Sequence, residues 1–90
     1  MGIKESAKKE LDRMEGVFAK LVLESNEEMA KSFYEFAKSY LEGGRWLFEK
    51  KKYLEAFESA IISWAYIDAG LKLKFFKVPQ ELLKHFTVGD

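Results

Sequence analysis

Three long segments of this chain return an apolar side chain at every third or fourth position, and that period commits most of the sequence to helices. The first series, Ile3, Ala7, Leu11, Met14, Phe18 and Leu21, is interleaved with Lys, Glu and Asp and predicts an amphipathic helix over residues 3–24. The second, Met29/Ala30, Phe33, Ala37, Tyr40/Leu41, Gly44 and Leu47/Phe48, predicts a helix over 27–50. The third, Tyr53, Phe57, Ala60, Trp64, Ile67, Leu71 and Phe75, predicts one over 53–76. The breaks are short. ESNEE separates the first two, with Ser25 and Glu28 spaced for a capping box at the second helix's start. KKKY separates the last two, and Val78-Pro79 bars the third from continuing. No strand pattern, internal repeat or linker interrupts this reading.

Three helices of similar length with short connections pack most simply as an up-down-up bundle, each antiparallel to the next. The expected architecture is therefore all-α: one domain spanning residues 1–90, with a tail at 77–90 that forms at most a short helical turn begun by Pro79. Gly43 and Gly44 interrupt the second helix at about 1 kcal/mol each relative to alanine. Close packing of Gly44 against Ala56 and Ala60 would offset part of that cost.

Composition narrows the function classes. Fifteen basic and fifteen acidic side chains cancel, so no net field draws the chain to phosphate backbones or anionic lipid. There is no cysteine, which removes disulfides, thiol nucleophiles and thiolate metal sites. The N-terminus is charged from its fourth residue, with no apolar leader, and no segment approaches the ~20 apolar residues of a membrane span. The expected address is cytoplasmic. Charges dominated by Lys and Glu, with Asn26 and Gln80 the only side-chain amides, lean toward a thermophilic source.

The third helix is apolar on two sides. Opposite its core seam lies a second stripe, Ile62, Tyr66, Ala69, Leu73 and Phe76, where a helix with one buried face should be charged. Such a stripe needs cover from the chain's own tail through Leu82, Leu83 and Phe86, from a second copy, or from another protein. Asp68 stands on the shoulder of the core seam. It is placed to pair with Lys72 or with the Tyr34 hydroxyl, or to form, with Trp64 and Tyr34, a groove for a small molecule or for hydrolysis.

Other chemistry is sparse. His85 is the sole histidine, with Glu81 one turn before it, too few ligands for a catalytic zinc and without the paired motifs of a di-iron bundle. Glu24, Glu27 and Glu28 lack EF-hand spacing. Lys72, Lys74 and Lys77 around Phe75 and Phe76 suggest weak RNA binding, a pattern opposed by net neutrality and by the ordinary preference of lysine for helix C-termini. Phosphate-loop and nucleophile-elbow motifs are missing. The sequence thus reads as a non-enzymatic protein without metal or cofactor, acting as a protein interaction or self-association module, with a protein partner or a homodimer expected and nucleic acid and membrane disfavoured.

Residues 40–76, YLEGGRWLFEKKKYLEAFESAIISWAYIDAGLKLKFF, with the closing FTV at 86–88, resemble an archaeal family of small helical proteins, the domain of unknown function 357. Family features with counterparts here are an aromatic-rich second helix and a Trp, Asp-Ala-Gly centre to the third, WAYIDAG. The resemblance implies a left-handed three-helix bundle, an archaeal origin and no established activity. KKKYLEAFESAI is also similar to the start of a tetratricopeptide repeat, but a single copy cannot form the stacked array such repeats need.

Overall fold

A computed structural model describes residues 2–88 of the chain; Gly89 and Asp90, the end of the expected tail, lie outside the described residues. Three helices account for most of it: α1 (Ile3–Lys20), α2 (Glu28–Glu49) and α3 (Tyr53–Lys72). Two short strands, β1 (Val22–Leu23) and β2 (Phe76–Lys77), and a C-terminal 3-10 segment (Gln80–His85) complete it. Among the described residues no helix is long and apolar enough to cross a membrane.

Cross-helix contacts fix the directions. Gly44 meets Ala56 and Ser59, and the buried Ser63 hydroxyl donates to the Ala37 carbonyl at 2.7 Å, so α2 and α3 run antiparallel. Leu11 touches Gly44 while Phe18 packs 5.6 Å from Tyr34, so α1 and α2 are antiparallel too. The result is the expected up-down-up bundle. Its core follows much of the predicted seam, with Leu11, Met14, Ala37, Ala60 and Ile67 fully buried; Val17, outside that series, is fully buried too, while Phe18 is half-buried and Ile3 is exposed. Gly44 is compensated by close approach, to Ala56 as expected but to Ser59 more closely, and its nearest neighbour is Leu11 of α1: an added Cβ would lie 2.9 Å from Leu11 Cδ2. α2 is continuous through both glycines.

Four local expectations are corrected. Helix one stops at Lys20, not residue 24, because Val22 and Leu23 extend and pair antiparallel with Lys77 and Phe76. A strand pair, absent from the sequence reading, therefore closes one end of the bundle, extended by the Glu24 amide donating to the Phe75 carbonyl at 2.8 Å. The Ser25–Glu28 capping box does not form: α2 begins at Glu28 with Glu27 as its cap, and Ser25 Oγ accepts from the Glu27 amide at 3.1 Å. Helix three ends at Lys72, not residue 76, before the proline can act.

That last ending has an identifiable cause. The Phe75 amide bonds back to the Gly70 carbonyl and the Lys74 amide to that of Leu71, while Lys74 adopts φ 65°: a Schellman motif with lysine in the left-handed position. Reversed there, the chain folds Phe76 over Gly70, whose missing Cβ makes room for the ring, and both Phe75 and Phe76 become buried. Continuing as helix would have left Phe76 on the outer stripe. The end of α2 repeats the motif, with Lys51 at φ 65° and the Lys52 amide on the Leu47 carbonyl. A non-glycine residue in this region carries a steric cost of roughly 1–2 kcal/mol. Lys51→Gly and Lys74→Gly are each expected to raise stability by about 0.5–1 kcal/mol, part of the relief being returned as unfolded-state entropy; chemical denaturation checks this, and a lower midpoint for both would contradict it.

Candidate functional site

The outer stripe of α3 lies beside α2, and Phe36, Tyr40, Ile62 and Leu73 are exposed along the two, as Ile3, Val22 and Leu23 are elsewhere. At about 100° per residue, the charged residues of α2 from Lys31 to Glu49 (Lys31, Glu35, Lys38, Glu42, Arg45, Glu49) fall within a sector of roughly 80°. The opposite flank, toward the α3 stripe, reads Met29, Ser32, Phe36, Ser39, Tyr40 and Gly43, without a charge. On α3, Asp68 is the sole charge between Glu58 and Lys72, and it is buried.

Tyr66 knits the two helices together on this face. Its ring lies nearly parallel to Phe36 (5.5 Å) and Tyr40 (6.3 Å) and edge-on to Phe33 (5.5 Å). Of the predicted stripe, then, Tyr66 is half-covered by α2, while Ile62 and Leu73 remain 38% and 52% exposed. Ala69 helps floor a shallow depression of about 270 Å³ together with Phe33, Ile62, Ala65 and Tyr66. Phe76 leaves the stripe altogether, being folded over Gly70.

The tail covers the other flank of α3. Trp64 Nε1 donates to the His85 carbonyl at 2.6 Å, and the Trp64 ring stacks on Phe86 at 6.1 Å and 5°. Both Asp68 oxygens accept from Thr87: Oδ1 from the amide at 2.8 Å and Oδ2 from the hydroxyl at 2.7 Å. Lys72 Nζ stands 3.7 Å from the same carboxylate, as expected. Tyr34 is not among the partners. It turns toward α1, packs on Phe18 and Phe76, and lines a different depression with Glu15, Lys38 and Arg45. Trp64 and Asp68 are thus brought together, with the tail, and Tyr34 is not. Thr87, which completes the Asp68 site, was missed because nothing local couples positions 19 apart; the one available signal was a buried-looking acid in need of donors.

The remaining candidates are dispersed. The His85 side chain lies by Glu10, Arg13 and Trp64, where burial, then Arg13 and Lys84, lower its pKa below the ordinary 6.5. Glu81 faces Lys20 instead, at 3.5 Å. Among the described residues, no three His, Asp or Glu side chains converge as a metal site. Lys74 and Lys77 line a shared depression with Glu24, but the neighbouring Phe75 and Phe76 are buried and offer no platform for stacked bases.

Comparison with known proteins gives the chain's family. A family model described as a protein of unknown function, DUF357, matches residues 5–76. The chain belongs to the DUF357 family. A crystallised DUF357 protein from Archaeoglobus fulgidus is similar in structure, with a TM-score of 0.73 and 21% identity over 86% of this chain and 93% of that one. At that identity the likeness speaks for the fold alone. No curated protein matches. Within this DUF357 chain, Trp64, Asp68 and the α2–α3 face all lie inside the matched residues, and the docked tail lies beyond them.

Proposed function

We propose that this DUF357 protein is an interaction module that self-associates through the uncharged α2–α3 face. The observation that carries the reading is the segregation of charge: two adjacent helix flanks present Phe36, Tyr40, Ile62, Ala65, Tyr66 and Leu73, bounded on α3 by the exposed Glu58 one turn before Ile62, while every charge of α2 after its first turn sits on its opposite side. Apolar and aromatic surface of this kind is what the centres of stable interfaces are made of. A second copy is the occupant because the face is shallow, which suits a flat two-fold contact of a patch with itself better than insertion of a foreign helix. The zero net charge adds no long-range repulsion between copies.

Light scattering behind a sizing column measures the outcome. The wild type is expected at twice the 10.5 kDa monomer mass, and Ile62→Lys, with a side chain already part-exposed, at the monomer mass with unchanged helicity. A wild-type monomer at about 100 µM, where any smaller Kd would show as dimer, would end the self-association reading and leave the face to a different protein.

A further inference from the structure

The flank of α3 that the tail covers has the form of a peptide-recognition site. Trp64 and Asp68 are one helical turn apart and between them engage three consecutive residues, His85 at the end of the 3-10 segment and Phe86 and Thr87 after it. The indole N–H takes the His85 carbonyl, the indole face takes the Phe86 ring, and the two carboxylate oxygens take the Thr87 amide and hydroxyl. Phe86 is in extended geometry, φ −126° and ψ 169°, as bound peptides commonly are. Each of these groups can be supplied by any chain that offers a carbonyl, an aromatic ring, and then an amide with a hydroxyl.

Apart from those contacts, the segment rests on the core through Leu82 and Val88, both only partly buried, while Phe86 itself is buried. The 3-10 segment contains no fully buried residue, and its ion pair, Lys20 with Glu81, is 3.5 Å long between side chains more than half exposed, a kind that contributes little. A segment held by partly buried side chains and a few directional contacts opens locally at lower free energy than the fully buried helix faces beneath it. Opening uncovers the Trp64 ring and both acceptor oxygens of Asp68.

We propose that the Trp64–Asp68 flank is a receptor for extended peptide segments bearing an aromatic residue followed by Thr or Ser, and that residues 85–87 are its resident, displaceable occupant. This site is separate from the self-association face and does not depend on it. The test uses the full-length chain, with the N-acetylated, C-amidated peptide LKHFTV (residues 83–88) as probe, and NMR of the Trp64 indole and Thr87 amide as readouts. The Thr87 amide is expected to exchange with solvent at least about tenfold faster than the amides at the centre of α3. Thr87→Val, at an exposed position, removes one hydrogen bond of the resident tail while leaving the receptor intact. This variant is expected to bind the probe about tenfold more tightly than wild type, because the competing occupied state is less populated. A probe with Ala in place of Phe should not shift the indole, and Asp68→Asn in the Thr87→Val background should lose the gain. Two results would overturn the proposal: Thr87 exchanging only as fast as the α3 core, or Thr87→Val binding no probe although its tail is free. The second variant's helicity separates lost binding from lost fold.

Discussion

Leu11→Ala is expected to cost about 2–5 kcal/mol and to lower the melting temperature by roughly 10–30 °C. Leu11 is fully buried, and its Cδ2 occupies the space that the missing side chain of Gly44 leaves on α2. Truncation therefore opens a cavity at the contact that holds α1 against α2 close to the α3 interface. The companion test is Gly44→Ala. In the wild type its Cβ would stand 2.9 Å from Leu11 Cδ2 and 3.3 Å from Ser59 Cβ, so it should destabilise by about 1–3 kcal/mol despite alanine's better helix propensity. In the Leu11→Ala background the same substitution should reverse sign and recover part of the loss. Additive effects in this cycle would mean that the two residues do not share the space.

A second sign reversal is expected at Gly70. Alanine there gains about 1 kcal/mol of helix propensity but places a methyl inside the Phe76 ring, which is buried and has little room to move. Gly70→Ala should therefore destabilise by about 1–3 kcal/mol net. Phe76→Ala should itself cost about 3–5 kcal/mol, and in that background Gly70→Ala should become neutral or stabilising. Urea denaturation of the four proteins measures the cycle. Stabilisation by Gly70→Ala alone would show that the chain reversal after Lys72 is not held by Phe76 on α3.

Much of this was legible in the sequence, and the omissions share a physical origin. The helices and core seam follow from a period that burial enforces over five or six turns, as Leu11, Ala37 and Ile67 illustrate. Helix ends depend on one or two residues, and here the usual signals were absent: lysine instead of glycine occupies the left-handed position at 51 and 74. Phe75 and Phe76 fit the helical pattern as well as they fit the turn, and only tertiary burial of both rings decides between them. The second stripe of α3 was visible as a departure from amphipathicity, but its partial cover by Phe33, Phe36 and Tyr40 required the register between α2 and α3. The tail went to the opposite flank because Asp68 and the Trp64 indole both needed polar partners, which the outer stripe does not offer. The site candidates therefore divided: Trp64 with Asp68, Ile62 with Tyr66 and Ala69, and Tyr34 with α1.

The Ser63 hydroxyl bears on how the two flanks of α3 can communicate. It is fully buried and spends its one proton on the Ala37 carbonyl. Sliding α3 along α2 by a single turn, about 5.4 Å, would strand that hydroxyl among apolar side chains at a cost of about 1–3 kcal/mol, with every interdigitated contact broken as well. Piston-like motion of α3 is thereby penalised at one position near its middle. Any coupling of Trp64 and Asp68 to Tyr66 and Ile62 would therefore have to run through rotation or repacking of side chains about a helix whose height is locked.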